Sequence, residues 1–232
     1  MELMKKFIIF KQGVLEELPL QLGVFPFGII YGIMAIESGL TPIQAFLMSS
    51  IIFGGASQIA FVQLISSATP LGVVVTTVSA INSRHFLYSI SMMEYLKNLS
   101  LKWRIVLSYL LTDEAYAVSI RRFINEPSTS FLHFHLLGTG ITLFLSWQIT
   151  TLIGVLVGGA LPQFLDLQFI IPLTFIAIIV PMIKSISTFF VVIASAFSGL
   201  ILKSLDINFW IVISGMIGVV IGLTSSKLDK RR

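Results

Sequence analysis

Asp113 and Glu114 are adjacent carboxylates inside the apolar run SYLLTDEAYA, residues 108–117. Such a pair is costly in an apolar setting unless it is paired or protonated. It can hold an ammonium group, carry a coupling proton, or pair with a cation such as Arg84. Helical periodicity puts Tyr109, Asp113 and Tyr116 on one face and turns Glu114 about 100° away. The plainer reading is an interfacial stretch with both acids among lipid headgroups, beside Arg104, Arg121 and Arg122. A second group lies in NSRHFLY, residues 82–88. Asn82 and His85 share a helix face, which Ser79 extends by a turn. His85 can change charge at about pH 6–7 and so carry a proton. Arg84 is either functional within a span or snorkels to the interface.

The third group is SSIIFGGASQIAFVQL, residues 49–64, an apolar run interrupted by Gly54, Gly55, Ala56, Ser57 and Gln58. An unwound backbone survives in a membrane only where protein or a water-filled cavity covers it. The half-helix that follows would present free N–H groups and a partial positive charge, a setting for a carboxylate. Ser57 and Gln58 add neutral donors. The alternative is a close helix crossing, since small residues pack tightly in membranes. Gln58 and Gln63 favour a polar cavity.

Charged residues make up 11% of the chain, against about 25% in soluble domains. Mean hydropathy is +0.96. No Asp, Glu, Lys or Arg occurs in 38–83 or 127–165, nor in 18–36, 185–202 or 207–226. A bilayer core of about 30 Å takes about 20 apolar residues as helix. The chain is therefore an all-α polytopic membrane protein, a single integral membrane domain over 1–232. Hydrophobic segments fall at about 18–36, 41–67, 70–93, 104–120, 131–159, 168–183, 187–203 and 208–225.

Charge placement puts both termini in the cytoplasm, residues 1–17 as an N-terminal segment and 226–232 as a basic tail. Lys97, Lys102 and Arg104 fall inside only if 41–67 enters from outside, turns at Gly54-Gly55 and returns. Segment 104–120 can do the same from inside. That gives about six full spans plus two broken or re-entrant elements; the alternative is seven or eight ordinary spans. Lys203 fits this arrangement worst. The tripeptide GGA at 54–56 and again at 158–160, with Pro19, Pro26, Pro172 and Pro181, hints at inverted halves.

The net charge of +4 follows membrane orientation, not a nucleic-acid face. Absence of cysteine leaves no redox signal, and only Phe7–Phe10 precede Lys11, too short a run for a cleavable signal peptide. No soluble energy-converting module is expected. His133 and His135 read as interfacial. There is no HExxH, Cys/His ligand set, P-loop or GxSxG, so neither a metal site, a cofactor nor an enzyme is expected. Gly28 with Gly32, Ser195 with Gly199 and Gly218 with Gly222 read as packing pairs.

The motifs LPLQLGVFPFGIIYGIMA, GGASQ, NSRHFLY and LTDEAYA occur in that order. With them the chain resembles the AzlC family, the large subunit of bacterial branched-chain amino acid exporters, from about Gly13 to beyond Gly159. The resemblance implies export of leucine, isoleucine, valine and in some members methionine across the cytoplasmic membrane. It also implies a small hydrophobic AzlD-type membrane partner and a proton-driven antiport.

The residues fit that expectation. A zwitterion needs an anion site, a cation site and an apolar pocket. Gly54–Gln58 with Arg84 suit the first, and Asp113 or Glu114 the second. Asn82 and Tyr116 line the same region, and Phe25, Phe27 and Phe53 suit the third. His85, Asp113 and Glu114 are the candidate proton carriers. Competing readings are a passive facilitator, an intramembrane enzyme using Asp113-Glu114 or Ser57-His85, and a non-catalytic assembly subunit.

Overall fold

The computed structural model describes residues 2–126, 130–160, 183 and 185–229, the last four as backbone. All regular structure among them is helical. The segment expected at 168–183 lies almost wholly outside the described residues, as do Pro172 and Pro181. Contacts divide the chain into two units, Met1–Ser67 with Val78–Ala160, and Ala68–Thr77 with Leu161–Arg232.

The first unit begins with α1 (Glu2–Glu17), one 3₁₀ turn (Leu18–Leu20) and α2 (Gln21–Glu37). Together they form a continuous 36-residue apolar run. Pro19 sits in the 3₁₀ turn, where a missing N–H is tolerated, and Pro26 lies inside α2. The sequence reads residues 1–17 as a cytoplasmic N-terminal segment and begins the first hydrophobic segment at about 18; the helical run continues through that boundary, with Gln21 bonded to the buried Glu17 and with Arg122 and His135 bonded to the exposed Glu16.

The remaining helices before residue 161 are α3 (Pro42–Ile52), α4 (Gly55–Ser66), α5 (Leu71–Asn82, of which 71–77 group with the second unit), α6 (Arg84–Leu96), α7 (Leu101–Leu110), α8 (Asp113–Asn125) and α9 (His133–Ala160). α3 starts in a capping box. Gln44 N–H donates to Thr41 Oγ1 at 3.3 Å, Thr41 N–H to Gln44 Oε1 at 2.9 Å, and Pro42 takes the first helical position.

α9 is the spine of this unit. Gly13 lies against His135, Gly28 against Thr150, and Gly32 against Thr151 and Gly154. The register advances in the same direction along both partners, so the α1–α2 run and α9 are parallel. An odd number of membrane crossings must therefore separate Glu37 from His133. The small residues admit backbone contact, as the packing reading of Gly28 and Gly32 expected. The second GGA, at 158–160, lies in continuous helix with Gly158 packed on Ile33, so it does not share the break seen at 54–56.

In the second unit, α10 (Ile186–Ser204) and α11 (Trp210–Asp229) pair antiparallel. Gly218 meets Ser195, Gly199 meets Ser214, and Ser187 Oγ lies 2.7 Å from Ser225 Oγ. Lys203, awkward by charge placement, rests its ammonium 5.5 Å from the Trp210 ring centre.

Three helices among the described residues are long and apolar enough to cross a membrane: Glu2–Glu37, His133–Ala160 and Ile186–Ser204. Segment 104–120 is broken, as 41–67 is. Substituting Gly32→Leu would drive a side chain into the α9 backbone, while Gly23 has open space beside it. We predict that Gly32→Leu lowers the thermal midpoint in detergent by the equivalent of about 1–3 kcal/mol or prevents folding, while Gly23→Leu leaves it unchanged.

Candidate functional site

The break between α3 and α4 is built by its own side chains. Phe53 takes the left-handed conformation (φ 41°, ψ 54°) and ends α3; Gly54 is extended (φ −153°, ψ 96°). A left-handed phenylalanine is unfavourable. It is held by burial, with its ring 5.1 Å from Phe144 and 5.7 Å from Tyr109. The turn thus sits one residue earlier than the glycines suggested. The glycines serve close approach instead. A side chain on Gly55 would strike the Trp147 indole, and one on Gly54 would meet Ser57 Oγ and Asn82 Oδ1.

Ser57 and Gln58 are fully buried and turn back on the break. Ser57 Oγ donates to Gly54 O at 2.8 Å. Gln58 Oε1 accepts from Gly54 N–H and from Trp147 Nε1–H, both at 3.1 Å. Ser50 Oγ donates to Gln148 Oε1 at 2.9 Å, and Ser49 and Thr151 hydroxyls lie 3.0 Å apart, so α9 also fixes the end of α3. The first-turn N–H groups of Gly55, Ala56 and Ser57 have no intrahelical acceptor by geometry.

Two further interruptions meet this one. The segment read as continuous over 70–93 kinks at Ser83, where Ser83 Oγ donates to Ala80 O at 2.7 Å. The segment read as helical over 104–120 stops at Leu110 and restarts at Asp113, with Thr112 extended between. Tyr109 therefore does not share a helix face with Asp113 and Tyr116, as continuous periodicity required. Its hydroxyl instead donates to the Ser50 carbonyl. The break also explains the paired acids. Asp113 and Glu114 occupy the first turn of α8, where free N–H groups and the helix dipole favour negative charge.

Arg84 Nη1 meets Asp113 Oδ2 at 2.6 Å, both side chains about one-third exposed. Of the three roles open to Asp113, pairing with Arg84 is the one this geometry contains. The stack of Tyr88 on Tyr116 has ring centres 4.6 Å apart, and the Tyr116 hydroxyl lies 2.8 Å from Ser91 Oγ. His85 lies 6.0 Å from Tyr88, ring to ring. Phe25 is exposed.

Along these breaks, five buried polar atoms lack a hydrogen bond of good geometry: Gln58 Nε2, Asn82 Oδ1, Arg84 Nε, Thr112 Oγ1 and Asp113 Oδ1, with the Tyr31 hydroxyl near the Gln58 amide and the Tyr88 hydroxyl near the Asp113 carboxylate. Donors and acceptors are both represented, an arrangement suited to a ligand carrying charges of both signs. Among the described residues, no three of His, Cys, Asp and Glu gather closely enough to hold a metal ion.

The sequence pattern of the family described as AzlC protein matches residues 19–161, well over half of the 232 residues. The chain belongs to the AzlC family. That family consists of membrane proteins associated with transport. The chain is 29% identical over 188 residues to an uncharacterized membrane protein of Archaeoglobus fulgidus, covering 79% of this chain and 80% of that one. It is 26% identical over 155 residues to the Inner membrane protein YgaZ of Escherichia coli, covering 66% and 63%. It is 28% identical over 151 residues to an uncharacterized membrane protein of Helicobacter pylori, covering 65% and 64%. The matches thus span less than two thirds of the E. coli and H. pylori proteins. No solved structure matches the chain. All three interruptions lie within the stretch that matches the AzlC pattern.

Reasoning from sequence missed Trp147, whose partner is 89 residues away, and Tyr109 as a brace. It also missed how completely His135 is buried. His135 Nε2 lies 3.1 Å from Glu16 Oε2, packed between helices.

Gln58→Leu removes the acceptor of two buried donors, so we predict a loss of about 2–3 kcal/mol in detergent stability. Trp147→Phe removes one bond, at about 1 kcal/mol. The double variant should lose less than the sum; strict additivity in a double-mutant cycle would contradict the shared acceptor.

Proposed function

We propose that the chain exports branched-chain amino acids, leucine, isoleucine and valine and by extension methionine, as a proton-coupled secondary transporter. It acts in the cytoplasmic (inner) membrane with both termini in the cytoplasm, beside a small AzlD-type membrane subunit. The inner-membrane location extends the name of the E. coli relative. The orientation rests on the placement of Lys and Arg.

The observation that carries this reading is the set of buried polar atoms without a good hydrogen bond at the breaks. In this reading the substrate carboxylate is received by the first-turn N–H groups of α4 and by Gln58 Nε2. The ammonium faces Asn82 Oδ1 and Asp113 Oδ1, with Arg84 holding Asp113 in place. The aromatic cluster of Phe53, Tyr109 and Phe144 offers an apolar wall. An apolar pocket separates neighbouring side chains by only about 1–3 kcal/mol per methylene, so several aliphatic amino acids share one site. Glu114 is the coupling carboxyl, beside the site and not in the Arg84 pair.

The test is labelled-leucine flux in proteoliposomes, with and without an imposed pH gradient, for the chain alone and with its small partner. Gradient-driven leucine movement is expected, and Glu114→Gln should abolish it while the protein still assembles. Leucine flux indifferent to the gradient would replace the exporter with a facilitator. Driven flux in Glu114→Gln with unchanged pH dependence would remove Glu114 from the coupling step.

A further inference from the structure

The backbone of Gly54 does not require a glycine. Its φ of −153° and ψ of 96° are extended, a region open to any residue. What Gly54 supplies is a missing side chain. Leaving out its chain neighbours, the three atoms nearest to the place a Cβ would take are all oxygens. They are Ser57 Oγ at 2.8 Å, Asn82 Oδ1 at 3.2 Å and Ile52 O at 3.7 Å. Three helix ends bring them there: the last residue of α3, the first turn of α4 and the last residue of α5. The space beside Gly54 is walled by oxygen.

Each of these oxygens has lone pairs to offer. The Ser57 hydroxyl commits its proton to Gly54 O at 2.8 Å, so its oxygen meets other groups as an acceptor. Asn82 Oδ1 is buried and accepts no hydrogen bond of good geometry. Ile52 ends α3, and the final carbonyls of a helix have no donor within it and lie at its negative end. Buried acceptors left without a donor are costly. A water molecule brings two protons to three acceptors, whereas one cation satisfies all three.

The donors select the cation. They are two uncharged carbonyls and a hydroxyl, with no carboxylate, thiolate or imidazole among them. Calcium and magnesium draw on carboxylates, and transition metals on sulfur and nitrogen. Neutral hard oxygens suit a singly charged alkali ion, and broken membrane helices present such carbonyls to Na⁺. Arg84, two residues beyond Asn82, has its charge balanced by Asp113 at 2.6 Å.

We infer that the break binds an alkali cation of the sodium type on Ile52 O, Ser57 Oγ and Asn82 Oδ1, in the space that Gly54 leaves open. The ion covers these oxygens while no amino acid is bound. The substrate ammonium, directed to Asn82 Oδ1 in the export reading, displaces it. That displacement rests on the export reading; the cation site does not.

The test melts the full chain in detergent, free of amino acids, in NaCl, KCl and N-methyl-D-glucamine chloride at equal concentration. Na⁺ or K⁺ should raise the midpoint saturably, by roughly 2–8 °C over the organic cation. Equal midpoints in the three salts would leave the oxygens to water and overturn the site. Ser57→Ala and Asn82→Ala each remove one oxygen and should need about tenfold more cation for half the shift. Gly54→Ala puts a methyl group in the space and should abolish the response, since its backbone conformation suits alanine. Wild-type response in all three variants overturns the assignment. If Gly54→Ala does not fold, the two oxygen variants decide.

Leucine separates the free ion from the substrate's own ammonium. It should raise the cation concentration needed for half the shift. Stabilisation by leucine but by neither ion would give these oxygens to the ammonium alone and overturn the cation site. A cation response that leucine leaves untouched upholds the site and contradicts the placing of the ammonium at Asn82.

Discussion

One side-chain carbonyl oxygen fixes the break in the first unit. Gln58 Oε1 accepts the N–H of Gly54 and the indole N–H of Trp147, so the gap between α3 and α4 is tied to the spine helix α9. An unwound backbone inside a bilayer has no water to satisfy it and must find partners in the protein. Gln58 is that partner. The buried Phe53 ring, wedged against Phe144 and Tyr109, holds the left-handed turn that precedes it.

Everything else in the first unit follows from packing helices around α9 closely enough for those bonds to form. Small residues at Gly13, Gly28 and Gly32 bring the long N-terminal run into backbone contact with it. Hydroxyl and amide side chains on α9 then reach outward: Thr139 to Ser119, Gln148 to Ser50, Thr151 to Ser49. Two interruptions, those after α3 and α7, are built on that helix, and the third joins them through Asn82 beside Gly54 and Arg84 on Asp113. The cost is a set of buried polar atoms without good hydrogen bonds, which a well-packed structural bundle would eliminate. In a member of a transport-associated family, such atoms are where a polar solute would be handled.

Much of this was legible in the chain. The charge-free runs announced a helical membrane protein, and Gly54-Gly55 followed by Ser57-Gln58 announced a break. Residues 82–88 and 113–116 were singled out by polar side chains in apolar company, and the structure gathers them beside the break. Other features left no local mark. The interruption at Leu111-Thr112 contains no glycine or proline, so periodicity ran straight through it and misaligned Tyr109. Nothing local ties residues 1–17 to the rest of the unit, because the partners of Glu16, Arg122 and His135, are brought to it by tertiary packing. The small-residue pairs were readable as contact points, but their shared parallel register appears only when both helices are seen together.

The central claim is that the break at the start of α4 opens to water within the membrane. The chain has no native cysteine, so single cysteines report on this directly. Ala56 is exposed in the first turn of α4, Leu22 is 82% exposed on α2, and Ser67 is exposed in a loop. Each would be replaced by cysteine and treated in intact membranes with a charged, membrane-impermeant thiol reagent. The account predicts that Ala56→Cys and Ser67→Cys react, that Leu22→Cys does not, and that leucine slows the reaction at position 56 alone. An Ala56→Cys as inert as Leu22→Cys, in a protein whose Ser67→Cys reacts from either side, would mean that the break faces lipid and that Gln58 braces a packing feature only.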